Sequence, residues 1–112
     1  MERADLGKSS TGLQPNVAAL LSYLLGIITG IIFYLIEKEN KFVRFHAMQS
    51  IVVFGAVLVA GIVLLFIPVI GWTLYPLLQI ASLVLWILLM VKAYQGEKFK
   101  LPWAGDIAEK NS

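Results

Sequence analysis

The sequence predicts an all-α fold: an integral membrane bundle of three transmembrane helices with a short interfacial C-terminal segment. Three observations lead there. The 112 residues are 59% hydrophobic and 14% charged, too little charge to cover a soluble domain of this size. Mean hydropathy is +0.82. The apolar residues fall in three blocks, 17–36, 47–67 and 74–91, none of which holds Asp, Glu, Lys, Arg or His. Each is close to the roughly 18–20 residues that cross about 30 Å of hydrocarbon at about 1.5 Å per residue.

One domain is expected at this length. Residues 1–15 form a tail, 16–95 the transmembrane domain with spans near 17–36, 47–67 and 74–93, and 96–112 the interfacial segment. The first block carries twelve Val, Leu, Ile and Phe residues, whose insertion gains about 4–7 kcal/mol. Ser22, Tyr23, Thr29 and two glycines return part of that. Pro15 and Asn16 mark its start, with Asn16 as the expected N-cap. Pro68 and Gly71 end the second span and turn the chain. Pro76 is placed in the first turn of the third span, where its missing N–H costs little. The tight turn makes spans two and three antiparallel neighbours.

Charge sets the expected orientation. With three spans, the 37–46 loop and the C-terminal segment share a side carrying Lys38, Lys41, Arg44, Lys92, Lys98, Lys100 and Lys110; Arg3 and Lys8 lie on the other. The positive-inside rule makes the first side cytoplasmic and puts the N-terminus outside. Trp72 and Tyr75 are expected at the outer interface. Tyr34, Phe42, Phe45, Tyr94, Phe99 and Trp103 are expected at the inner one.

Several classes drop out. The net charge of +2 is too small for nucleic acid. No cysteine is present, so no disulfide forms. No basic region followed by a short apolar core marks a cleaved signal peptide. One histidine makes a poor zinc site. There is neither a Gly-rich phosphate loop nor a Ser-His-acid set, since only Glu37 and Glu39 lie near the membrane. No enzyme and no cofactor are expected.

Two constellations remain. Ala18, Ser22, Gly26 and Gly30 recur every four residues as a ridge of small side chains where another backbone can approach. It serves either packing within the bundle or self-association into a homo-oligomer. The second is polar: Glu37, Arg44, His46, Gln49 and Ser50. His46, Gln49 and Ser50 share one helix face that is unsuited to lipid. It is either a hydrogen-bonded lock or the lining of a vestibule or proton site. A hairpin turn centred near Asn40 and Lys41 pairs Glu37 with Arg44 in an ion pair. Gln79 and Ser82 share a face of the third span and read as interhelical hydrogen-bonders. Lys92, Lys98 and Lys100 are placed to attract anionic lipid.

The runs "GLQPNVAALLSYLLGIITGIIFYLIEKENKFVRFHAMQS" and "GEKFKLPWAGDIAEK" resemble a family of small prokaryotic membrane proteins. That family is named for likeness to the Tic-twenty subunit of the chloroplast inner-envelope import machinery. The resemblance covers nearly the whole chain from Thr11 onwards and is carried most specifically by "FVRFHAMQS". It implies an integral membrane protein with no catalytic residues. The plant proteins look like four-span proteins, so a pore built from this shorter chain would need several copies.

Overall fold

The computed structural model describes residues 7–112. Five helices follow one another: α1 Pro15–Leu24, α2 Ile27–Ile36, α3 Lys41–Leu65, α4 Ile70–Tyr94 and α5 Ala104–Lys110. No strand occurs among the described residues. Among the described residues, only α3 and α4 are long and apolar enough to cross a membrane. They form an antiparallel hairpin closed by residues 66–69. Most of their large apolar side chains, Leu58, Val59, Ile62, Ile80, Val84 and Ile87 among them, are exposed, as lipid-facing surfaces are.

The expected first span is two half-helices. Its helix stops at Leu24, and Gly26 adopts φ 62° and ψ −124° before α2 begins. An L-residue with a side chain would be strained there, by about 1–3 kcal/mol. Ten residues rise only about 15 Å, so each half reaches about the middle of a bilayer. The start of α1 is tied to the end of α4 by Asn16 Nδ2 donating to the Tyr94 carbonyl at 3.0 Å. The bend lies beside the middle of α3, where Ser50 Oγ donates to the Gly26 carbonyl at 2.9 Å. The end of α2 returns to the start of α3. Chain entry and chain exit therefore lie at one end of the molecule, and residues 17–36 do not cross it.

This overturns the three-span expectation, and the two described ends of the chain lie together. Ser10 donates to the Glu37 carboxylate, and Asn40 Nδ2 donates to the Lys8 carbonyl at 3.1 Å. At the other end of the chain, Tyr34 Oη donates to the Asn111 carbonyl at 2.7 Å. Both described ends thus meet at the mouth of the α2–α3 turn. Lys8 joins the seven cations already counted there; Arg3 lies outside the described residues. The physical reason is that hydropathy reports solubility in lipid, and a helical hairpin dissolves as well as a straight helix.

Helix boundaries shift too. Pro15 occupies the first position of α1 and Gln14 precedes it as N-cap, leaving Asn16 inside the helix. Asn40 caps α3, accepting from the Val43 N–H at 3.1 Å. The α3 helix therefore begins six residues before the apolar block, and "KFVRFHAMQS" is helical throughout. Helix α4 begins at Ile70, which puts Pro76 in its interior instead of its first turn. Beyond Gln95 the chain runs irregularly over residues 97–101, then closes in α5 against α3, with Ala104 and Ala108 buried.

Candidate functional site

The polar cluster is built where α1, α3 and residues 97–101 meet. Tyr23, His46, Gln49 and Ser50 have no exposed surface. His46 and Gln49 are three apart on α3, so both face α1. The Tyr23 hydroxyl lies 2.6 Å from His46 Nδ1, and His46 Nε2 lies 2.9 Å from the Glu97 carbonyl oxygen. A carbonyl can only accept, so Nε2 carries the ring proton and Nδ1 accepts from Tyr23. Gln49 Nε2 donates to the Tyr23 oxygen at 3.0 Å and to the Phe99 carbonyl at 2.9 Å. Its Oε1 accepts from the Leu101 N–H at 3.0 Å. One histidine and one glutamine thus fasten three backbone groups of residues 97–101 to the helices.

Aromatic rings seal this network. Phe42, Phe45 and Tyr23 meet the imidazole edge to face, with centroids 4.6, 5.1 and 5.3 Å away. An unpaired amide or hydroxyl in such surroundings would cost a few kcal/mol. Here each one has a partner. Both ring nitrogens of His46 are engaged, and no group of three or more His, Cys, Asp or Glu side chains able to hold a metal occurs among the described residues.

A second set of hydrogen bonds closes the break in the first helix. Backbone groups freed at membrane depth cost several kcal/mol each unless protein satisfies them. Ser50 reaches the Gly26 carbonyl. Trp86 Nε1 donates to the Tyr23 carbonyl at 2.7 Å. The Thr29 hydroxyl accepts from the Leu25 N–H at 3.0 Å and donates to the Ser22 carbonyl at 3.1 Å. Ser22 Oγ donates to the Ala18 carbonyl at 3.0 Å within α1.

The small ridge packs inside the protomer along this hairpin. Ala18, Ser22 and Gly30 are buried. A Cβ added to Gly30 would lie 3.0 Å from the Ala47 carbonyl oxygen and 3.1 Å from Ser50 Cβ, and one added to Gly26 would meet Phe54 at 3.5 Å. The missing side chains let α2 lie directly on α3.

Glu37 and Arg44 do come together, but their charged groups do not pair. The Glu37 carboxylate accepts from Ser10 and from the N–H groups of Glu39 and Asn40 at 3.2 and 3.1 Å. It sits at the N-terminus of α3, where helix dipole and free N–H groups favour an anion. Burial raises its pKa, but the bonds from Ser10, Asn40 and Glu39 outweigh burial and hold it below the usual carboxylate value. Arg44 Nη1 donates to the Tyr34 and Glu37 carbonyls at 3.0 and 2.8 Å, its guanidinium stacked 4.1 Å above the Tyr34 ring. The cation therefore caps the C-terminus of α2. A symmetric pairing argument could not see that each charge does better on a helix end.

The basic tail is largely self-satisfied. Lys92 pairs with Glu97 at 3.3 Å, and Lys100 with Asp106 and Glu109 at 3.4 and 3.1 Å; Glu109 first, then Asp106, raise the Lys100 pKa. Lys98 lies 5.1 Å over the Phe45 ring. Phe99 and Leu101 pack on the core formed by Ala19, Tyr23, Leu89 and Ala93, while Trp103 is exposed. Sequence reasoning missed Tyr23, treating it as a cost of insertion. Its signal was its place seven residues after Asn16, on one face of α1.

Residues 12–108 match the magnetosome magnetite crystal formation protein family. The chain is 57% identical over 107 residues to a UPF0132 membrane protein of Methanocaldococcus jannaschii, covering 96% of each. A UPF0132 membrane protein of Archaeoglobus fulgidus is 52% identical over 88% of this chain and 95% of its own length. A second M. jannaschii relative is 48% identical over 88% of this chain and 71% of its own. No solved structure matches.

Proposed function

The chain belongs to the magnetosome magnetite crystal formation protein family, a small prokaryotic membrane-protein family, and from that premise we propose a non-enzymatic assembly component of the cell membrane. It self-associates or binds another membrane protein. The observation that carries this reading is the consumption of its polar chemistry. Tyr23, His46, Gln49 and Glu37 spend their polar atoms holding segments of the same chain together, leaving none directed at a substrate.

The topology belongs to the proposal. Helices α3 and α4 span the bilayer, and α1–α2 is a re-entrant hairpin entering and leaving on the cytoplasmic side. Lys8, Lys38, Lys41, Arg44, Lys92, Lys98, Lys100 and Lys110 all lie at that end, whereas residues 66–69 carry no charge, which supports the orientation. Broken helices at membrane depth are tolerated where protein buries them, as here. Anionic headgroups would meet Lys98 together with exposed Lys38 and Lys41, because Lys92 and Lys100 are already paired.

Likeness to the Tic-twenty-like proteins would add a translocation pore with the His46 face along the path. His46 is sealed within each protomer, so it does not face a path formed between copies. The test uses reconstituted vesicles and detergent solution. An assembly role predicts no proton or ion flux from the parent, together with a lowered melting temperature for His46→Ala. Flux that disappears in His46→Gln at unchanged melting temperature would establish the pore instead.

A further inference from the structure

Because the hairpin α1–α2 turns back at Gly26, the half of the molecule beyond it contains, among the described residues, only α3, α4 and the turn between them. Two adjoining clefts of about 330 and 260 Å³ lie along this pair above the bend. Both are lined by Phe54, Val57 and Gln79. Gln79 is nine residues into α4, roughly 14 Å along its axis, near mid-membrane. Its side chain is exposed. Unlike Gln49, it has no hydrogen-bond partner among the described residues, and nearby Ser82 bonds to the Leu78 carbonyl of its own helix. One turn away, the Tyr75 ring packs on Gly61.

We propose that this cleft is the self-association surface, occupied by the same cleft of a second copy related by a two-fold axis along the membrane normal, with the two Gln79 amides bonded to each other. The proposal rests on the self-association reading above and names its surface. Three physical points choose this occupant. A carboxamide offers two donors and an acceptor, so two of them pair reciprocally, N–H to C=O in both directions. A two-fold axis along the normal keeps every residue at its own depth, so like meets like. It also leaves both charged ends on one side. A lipid chain would fill the volume but leave the amide unpaired in hydrocarbon, whereas interhelical amides associate membrane helices.

The chain contains no cysteine, so single thiols report contacts without background. Leu83 lines the cleft one turn from Gln79, and Leu77 lies on the opposite side of α4. In native membranes under oxidation, Leu83→Cys is expected to give a disulfide-linked dimer and Leu77→Cys to remain monomeric. Adding Gln79→Leu to Leu83→Cys should weaken dimerisation roughly tenfold, while Gln79→Asn should retain part of it. The melting temperature of the Gln79→Leu protomer should not fall, because the amide has no partner within the protomer. Cross-linking that persists unchanged in Gln79→Leu would overturn the proposal. So would a Leu83→Cys chain that stays monomeric with bound phospholipid. Dimers linked through Leu77→Cys instead would also overturn it while leaving self-association standing.

Discussion

Residues 17–36 and helix α4 look alike as sequences: both are long and apolar, and α4 carries no charge before Lys92 in its last turn. Yet α4 carries a proline in its interior and continues for 25 residues, whereas the other, with no proline after Pro15, folds back at a glycine. Proline removes one N–H and costs about 3 kcal/mol or more in a helix interior. At Gly26 more of the backbone ladder is lost. The difference is the surroundings. Ser50, Trp86 and Thr29 accept or donate where the first helix is broken. The neighbourhood of Gly26, more than its intrinsic propensity, decides where a membrane helix ends.

The comparison breaks most readily at the hairpin contact. Gly30→Leu should push α2 from α3, because even a Cβ sits at 3.0 Å from the Ala47 carbonyl oxygen; a loss of about 3 kcal/mol or more is expected. Thermal unfolding in detergent measures it, with Ile27→Leu as the near-neutral control. Ser50→Ala should come next. It removes one of two donors to the Gly26 carbonyl, which keeps the Gly30 N–H at 3.1 Å, for roughly 0.5–1.5 kcal/mol, read as faster amide exchange at residues 25–30. Pro76→Ala should do the reverse, leaving stability unchanged or slightly raised, since it restores the donor for the Trp72 carbonyl.

Milder effects are expected at the mouth of the hairpin. Burial raises the folded Glu37 pKa, but hydrogen bonds from Ser10, Asn40 and Glu39 outweigh it and hold the carboxyl below the usual carboxylate value, so its ionised form contributes stability above that value. That contribution is lost as the pH falls through the lowered folded value. Glu37→Gln should flatten this acid limb of the melting profile. Arg44→Gln should cost about 1 kcal/mol through the lost cap of α2, measured in the same melts, and Arg44→Lys less.

Membrane character and the all-helical class are legible in the apolar blocks, and the polar face of His46, Gln49 and Ser50 in its helical spacing, since composition and spacing survive any topology. The re-entrant turn was not. Ala18, Ser22, Gly26 and Gly30 read equally well as a packing ridge on a straight helix, and the groups that satisfy the break, Ser50 and Trp86, lie 24 and 63 residues from the atoms they bond. Pairing Glu37 with Arg44 located the right neighbours but the wrong atoms, because charge symmetry ignores helix ends. The sequence reads Gln79 as an interhelical hydrogen-bonder, yet it has no partner among the described residues, because no third span reaches its level.

The most direct test is the side of the membrane on which each end lies. Single cysteines at Lys8, Val69 and Lys110 in the otherwise cysteine-free chain can be labelled with an impermeant maleimide in intact cells and again after permeabilisation. A re-entrant hairpin predicts that Lys8→Cys and Lys110→Cys react only after permeabilisation and Val69→Cys before it. Labelling of Lys8→Cys from outside, with Lys110→Cys protected, would mean that residues 17–36 cross the bilayer and would contradict the account.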